Sequence, residues 1–355
     1  MVRPVLDVDL AALTRNFESL AALAPDAAPA PVVKCGGYGL GAAAVARTLA
    51  QRAGAACFFV AYPFEGADLR AALQREGLAP EIVVFNGAGD AEDAALCVDA
   101  RLTPVVNSIA QAKLWRRAAP GAPCAVHVDT GMNRLGVAAD EIDALLAADL
   151  AVDIVMSHFS HAATPDHPSL AAQAAAFAHA AERFPNARRS LSATGGVLAG
   201  AQFGFDLARL GIGLYGMTAA GEAHPAVEPV ATLRAPVLQV RTAPAGETVG
   251  YDGTATLSRT SRLATLAVGY GDGLPRAASN RARVRLAGAD RAITGRISMD
   301  LTVVDVTDPP ETVADDDAAE IFGPHAPIER LAADVGTIGY EILTGLGPRA
   351  ERRYL

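Results

Sequence analysis

PVVKCGGYGLG, residues 31–41, sets two β-branched residues before a lone lysine and follows it with glycines and a tyrosine. Taken alone, Val32-Val33 reads as a short core strand, Lys34 as its solvated end and the glycines as a turn. The same residues also fit a nucleophilic amine. A lysine at a strand end, against apolar walls, has its pKa depressed and condenses with an aldehyde, while glycines let backbone approach a ligand closely. Strands that end in chemistry are the rule of the (β/α)8 barrel, so the choice turns on whether the strand-then-loop pattern repeats.

It does repeat. Apolar runs follow at CFFVAY (57–62), EIVVFNG (81–87), LTPVVN (102–107), CAVHVDTG (124–131), DIVMSHF (153–159), RRSLSATGG (188–196) and GIGLYGM (211–217). Segments such as AAAVARTLAQRAG and ADEIDALLAADL lie between them, with apolar residues at helical spacing. Repeated βα units imply a parallel sheet, and eight of them in roughly 200 residues imply a closed barrel. The open, doubly wound alternative lacks its G-x-G-x-x-G after the first strand. From about residue 229 the texture changes to strands and turns, as in RAPVLQVRTA, RLATLAVGY and RAITGRISMDLTVVDV. The fold class is therefore α/β, with an N-terminal (β/α)8 TIM-like barrel over 1–228 and a mostly β domain over 229–355. The first strand, within 1–9, is free to pair with the second domain.

Composition narrows the class. The chain has 355 residues, 51% hydrophobic and 19% charged, with a net charge of -9. That excludes a disordered chain, and the lack of a basic run argues against nucleic acid as a partner. Cys35, Cys57, Cys97 and Cys124 form no C-x-x-C pair and no metal-ligand spacing, as expected of thiols in a reducing cytoplasm. The N-terminus carries Asp7 and Asp9 where a signal peptide needs an apolar core, and no apolar run approaches a membrane span. A cytoplasmic protein with no membrane partner is expected.

Under the barrel rule, the ends of the apolar runs should share one face. They carry Lys34 and Tyr38, then His127 and Asp129 with Asn133 and Arg134 in the loop beyond. His158 follows, then Ser192, Thr194 and Gly195-Gly196, with Arg209 before the last run and Tyr215 at its end. Each alone has an ordinary reading as a strand residue, surface cap or turn. Together, an amine, two guanidinium groups, two imidazoles and a glycine-rich turn suit an anionic ligand carrying a carbonyl. Pyridoxal 5′-phosphate is such a ligand: its aldehyde takes a lysine, and its phosphate takes backbone N–H groups and hydroxyls.

Seven motifs stand in a single order: VVKCGGYGLG, VDTGMNRLGV, MSHFSHA, ARLGIGLYG, VGYGDG, GRISMD and GTIGYEILTGLGPR. In this order, and from VDLAALTRNF to GPRAERRYL, the chain resembles the alanine racemase family of fold-type III pyridoxal-phosphate enzymes. The resemblance implies that Lys34 holds the cofactor and that Tyr251, in VGYDG, is the second acid–base residue, reaching the other subunit's site. It implies Arg134 at the cofactor's ring oxygen and the substrate carboxylate, Arg209 at the pyridine nitrogen, and His158 behind Arg209. Tyr38, Tyr215 and Tyr340 would line the phosphate and the entrance, with Tyr270 also at the entrance and Met299 a backbone donor to substrate. Thr194, Gly195, Gly211 and Ile212 would complete the cofactor's cradle. A homodimer with shared active sites, acting on a small amino acid by a Lys/Tyr two-base mechanism, is the implied assembly.

The chain also departs from the family pattern. Gly36 stands where many members have asparagine or aspartate, His127 where many have a lysine, Thr194-Gly195 where Asn-Ser is usual, and Asp252 where a glycine is usual. The leading expectation is racemisation of alanine. The alternatives are a racemase of broader or other small-amino-acid specificity, and a pyridoxal-phosphate decarboxylase or aldolase on the same scaffold. A non-catalytic carrier of the cofactor should stop after the barrel, whereas this chain runs on through Tyr251.

Overall fold

The computed structural model describes residues 3–308, 313–315 and 317–355. They form two compact units: Leu13–Glu228 is one, and the residues before Leu13 together with those from Pro229 on form the other.

The first unit is an eight-stranded parallel barrel. Its strands are β2 (Ala28–Pro31), β3 (Cys57–Val60), β4 (Glu81–Val84), β5 (Thr103–Val106), β6 (Pro123–His127), β7 (Ala151–Met156), β8 (Arg188–Ser190) and β9 (Leu207–Leu210), with β1 (Val5–Val8) belonging to the second unit. β3 to β8 form one parallel sheet in sequence order, and β2 pairs with β9. Single parallel bridges, Val32 to Phe59 and Ala193 to Arg209, close the ring. CFFV in β3 and TPVV in β5 are buried throughout, because helices cover the outside while side chains fill the inside. Those helices start and stop where sequence chemistry says they should. Asp90 accepts the N–H groups of Glu92 and Asp93 at the head of Ala91–Asp99, Ser108 caps Ile109–Ala118, and Gly54 ends Ala42–Ala53 in the left-handed conformation.

Two strand positions differ from expectation. The first strand is APAP, 28–31, so Lys34 lies beyond its end rather than on it. The last is LARL, 207–210, not 211–217, and Ile212–Tyr215 is a 3₁₀ turn. GIGLYGM is apolar because it is buried as a turn, and three glycines in seven residues favour a turn over a strand. Arg209 is thus a strand residue facing inward, with 1% exposure.

The second unit is β-rich. β1 runs antiparallel to the long β10 (Ala231–Ala243) and parallel to Glu351–Tyr354, so both chain ends meet in one sheet. Asp7, buried at 4% exposure, binds Arg234 and Arg353, each at 2.7 Å. The helical pattern at IERLAADVG is the helix Ile328–Val335, and a second helix, Gly339–Thr344, carries Tyr340. Among the described residues no helix is long and apolar enough to cross a membrane, and no cluster of three or more His, Cys, Asp or Glu side chains could hold a metal ion.

Candidate active site

Lys34 opens an unusual turn. Cys35, Gly36, Gly37 and Tyr38 have φ of 52°, 61°, 67° and 53°, one turn of left-handed helix. Glycine adopts this freely, but Cys35 and Tyr38 each carry a cost of about 1–2 kcal/mol. The turn is closed by Gly37 N–H to Val33 O and Gly39 N–H to Cys35 O. The Lys34 Nζ stands 5.7 Å from the centre of the Phe85 ring. Burial pulls the amine's pKa down; Cys35 opposes this, Arg134 reinforces it and Glu65 opposes it.

Arg209 is the buried centre of the barrel mouth. Its Nη1 donates to Ser190 O (2.9 Å) and Ser190 Oγ (2.6 Å). Its Nη2 donates to Ser157 O (2.6 Å), Leu191 O (3.0 Å) and His158 Nδ1 (3.2 Å). Burial, then Arg134, lowers its pKa to about 9, so it stays a cation at neutral pH. His158 is held well below the ordinary imidazole range by burial, then by Arg209 and Arg134. His127 is lowered to about 4, again by burial first. Its Nδ1 pairs with Asn107 Oδ1 at 3.2 Å.

Arg134 sits in a loop that Asp129 shapes by accepting the N–H groups of Gly131, Met132 and Asn133 at 2.8–2.9 Å. Burial pushes the Asp129 carboxyl up, but those three bonds outweigh it and leave the pKa lowered. The Arg134 charge acts on Lys34, His127, His158 and Arg209 alike, so these five sequence-selected residues form one cationic cluster.

Tyr38, Thr194, Gly211 and Tyr215 pack together. Tyr38 and Tyr215 stack with centroids 4.4 Å apart, and the buried Tyr215 hydroxyl donates to Val32 O at 2.8 Å. A Cβ on Gly211 would stand 2.9 Å from the Tyr38 hydroxyl oxygen, so a larger residue there would push the Tyr38 phenol aside. Thr194 Oγ1 accepts from Gly211 N (3.1 Å) and Gly213 N (3.3 Å), which leaves its own proton to donate. Ser192 is spent: its hydroxyl donates to Phe203 O at 2.6 Å. Gly195 packs under Ala162, whose carbonyl would lie 2.6 Å from a Cβ, so the serine usual in the family could not be accommodated without a shift.

Tyr251, Tyr270, Met299 and Tyr340 lie in the second unit. Tyr251 is 70% exposed and Met299 53%. The Asp252 carboxylate pairs with Arg296 in a turn where Asp252 itself is left-handed. Tyr270 is on a 3₁₀ turn packed on the Met299 loop, with Gly271 N–H bonded to Met299 O at 2.8 Å. Burial raises the Tyr340 phenol to about 12. Arg349 ties the loop down through Asp272, at 2.8 Å twice, and Asp300 at 2.7 Å. Asp272, Asp300 and Arg349 fall within the quoted motifs without a role assigned to them; the roles of Asn107 behind His127 and of Gln173, whose side chain binds Ser160 and the carbonyl of His158, were also missed.

Comparison with known proteins decides the family. The model of the alanine racemase N-terminal domain matches residues 8–219, and that of the C-terminal domain matches 230–354. The chain belongs to the alanine racemase family. An alanine racemase of Jannaschia sp. is 46% identical over 99% of both chains. One of Cereibacter sphaeroides is 45% identical over 100% of this chain and 99% of its own. The crystal structure of the Bartonella henselae alanine racemase, with covalently bound pyridoxal phosphate, superposes with a TM-score of 0.93 at 34% identity, covering both chains in full. A family of isomerases thus accounts for both units, and the barrel with its β-rich partner is the alanine racemase fold.

Proposed function

We propose that this member of the alanine racemase family holds pyridoxal 5′-phosphate on Lys34 and interconverts L- and D-alanine with Lys34 and Tyr251 as its two bases. The observation that carries the reading is Arg209: a buried guanidinium whose four terminal N–H groups are shared among five acceptors, and whose Nε has no partner among the described residues. That one free N–H fits the pyridine nitrogen. The Thr194 hydroxyl proton and the N–H groups of Gly195 and Ile212, which make no bond among the described residues, fit the phosphate.

Bound there, pyridoxal phosphate acidifies the Cα–H of the amino acid it carries. The protein's own residues decide where that leads. An arginine with a pKa near 9 retains its protons at neutral pH and does not protonate the ring nitrogen as a carboxylic acid partner does, so electron withdrawal into the ring is weaker. Reprotonation at Cα is then favoured over amino transfer, and a decarboxylase on this scaffold would be expected to set an acidic residue against the ring nitrogen, where this chain offers Arg209. The depressed Lys34 pKa makes a neutral amine, able to take a proton, accessible. Arg134, in the same cluster, orients the substrate carboxylate.

Tyr251, Met299, Tyr270 and Ile338 are exposed on the second unit. Large exposed apolar residues suit a subunit interface, and this supports a homodimer in which each β-rich unit completes the partner's site. Three buried thiols and no disulfide accord with a cytoplasmic location. The test is direct: the purified protein should form D-alanine from L-alanine, and borohydride should leave a pyridoxyl group on Lys34. The chain's only other lysine is Lys113; label there, or racemisation by Lys34→Ala, would sink the reading.

A further inference from the structure

The left-handed turn that carries Lys34 is held by one carboxylate outside the motif. Glu65 lies at the third position of the helix Pro63–Gln74, where a glutamate ordinarily reaches back to the N–H of the capping residue. Its Oε2 does this, accepting Ala61 N–H at 2.8 Å and Tyr62 N–H at 3.2 Å. Its Oε1 turns the other way and accepts the N–H of Cys35 at 2.7 Å. One carboxylate thus joins the end of β3, the start of a helix and the peptide that follows Lys34.

That third bond falls where the backbone most needs it. Cys35 is a non-glycine residue at φ 52°, ψ 47°, the first of five successive residues of positive φ, Cys35 to Gly39. Its N–H is the first of the turn, and short charge-assisted bonds of this type are the stronger ones. Without it, Cys35 and Lys34 are free to relax toward the right-handed or extended regions, which swings the lysine stem.

We infer that Glu65 is a positioning residue for Lys34: by holding the Cys35 peptide it fixes the left-handed turn and thereby the direction in which the amine points. The inference rests on Lys34 being the point of cofactor attachment. The electrostatics agree in direction, since the Glu65 charge favours the ammonium form of Lys34.

Two substitutions separate positioning from helix capping. Glu65→Gln keeps one carbonyl oxygen. That oxygen serves the capping side, where two N–H groups wait, and the amide nitrogen then meets the Cys35 N–H donor to donor. Glu65→Ala loses both sides. Positioning predicts that Glu65→Gln keeps the thermal midpoint of the apo-protein near wild type, yet weakens pyridoxal phosphate binding, read by absorbance titration, by about tenfold or more, as Glu65→Ala does. It also predicts a fall in kcat with the KM for alanine little changed. Binding and kcat of Glu65→Gln equal to wild type, with only Glu65→Ala impaired and destabilised, would overturn the inference and leave Glu65 a helix cap. Borohydride mapping on wild type is run beside it: absence of pyridoxyl-Lys34 there marks failure of the attachment reading itself, whereas label at Lys34 with undiminished binding in Glu65→Gln marks failure of the inference alone.

Discussion

Arg209 donates through Nη2 to Nδ1 of His158 at 3.2 Å, and that single bond sets the tautomer of the imidazole. A guanidinium has no lone pair to offer, so His158 must be the acceptor and its proton must sit on Nε2. His127 is set the other way. Asn107 donates its amide to Phe85 O (3.0 Å) and Val105 O (2.9 Å), so its Oδ1 is left to accept Nδ1–H from His127, and the lone pair stays on Nε2. Two neutral histidines of opposite tautomer thus belong to the cluster, and neither adds to the charge that the arginines give it.

Replacing Arg209 by lysine should be disruptive although it keeps the charge. One ammonium has three donors, against five acceptors gathered around the guanidinium, and each buried group left unpaired costs about 1–3 kcal/mol. Arg209→Lys should unfold at a clearly lower temperature in calorimetry and release its cofactor on gel filtration. A variant with the wild-type midpoint and full racemisation would show that the fork geometry is dispensable.

The two histidines also set an acid limit on stability. An unfolded imidazole takes up its proton near pH 6.5, while His127 in the folded chain refuses it until about pH 4. Between those values the unfolded state binds more protons, so stability is full above pH 6.5 and falls as pH falls. His127 alone should cost about 2 kcal/mol by pH 5. Urea unfolding of the apo-protein at pH 7.5 and pH 5 should show a smaller drop for His127→Gln than for wild type. Equal drops would mean that His127 does not remain neutral in the fold.

Much of this is legible in the sequence. Barrel and β-rich unit follow from the change in periodicity near residue 229, because helices that cover a parallel sheet leave a 3.6-residue rhythm and hairpins leave a period of two. Lys34, Arg134, His158 and Arg209 could be selected together because a barrel brings strand ends to one face whatever their distance in sequence. The strand assigned to GIGLYGM failed where apolar composition outweighed glycine's preference for turns. Glu65 and Asn107 were invisible for a different reason. Glu65 binds backbone amides, which every residue has, and Asn107 reaches His127 across 20 residues of sequence, so no residue pattern marks either.

Subunit sharing has its own test. Lys34 lies in the barrel and Tyr251 in the β-rich unit, whose phenol is largely exposed in the single chain. If each site draws Tyr251 from the partner, Lys34→Ala and Tyr251→Phe homodimers should both be inactive. Heterodimers formed by mixing them carry one intact site each. Activity should rise on mixing toward a quarter of wild type per total chain, about half the chains being in mixed dimers at random exchange. No recovery after exchange has been verified by mass spectrometry would rule out the shared site.

The division of labour between the two bases can be read with isotopes. Racemisation removes the Cα proton on one face and delivers one to the other, so two groups on opposite faces suffice where one would have to serve both. On the proposed reading, Lys34 Nζ would take the proton of D-alanine and Tyr251 Oη that of L-alanine. In the reverse direction each delivers the proton that forms the isomer it deprotonates, so Lys34 completes D-alanine and Tyr251 completes L-alanine. In deuterated water both directions should place solvent deuterium in the product, with little in recovered substrate at early times. Removing the phenol proton carrier should slow conversion of L-alanine by about 10²–10⁴-fold, the usual worth of a general base. Tyr251→Phe should still exchange the Cα proton of D-alanine, because Lys34 is intact on that face, and Lys34→Ala could not do so. Equal loss of exchange for both isomers in Tyr251→Phe, or early deuterium in recovered substrate of the wild type, would show that one group serves both faces and that Tyr251 has another role.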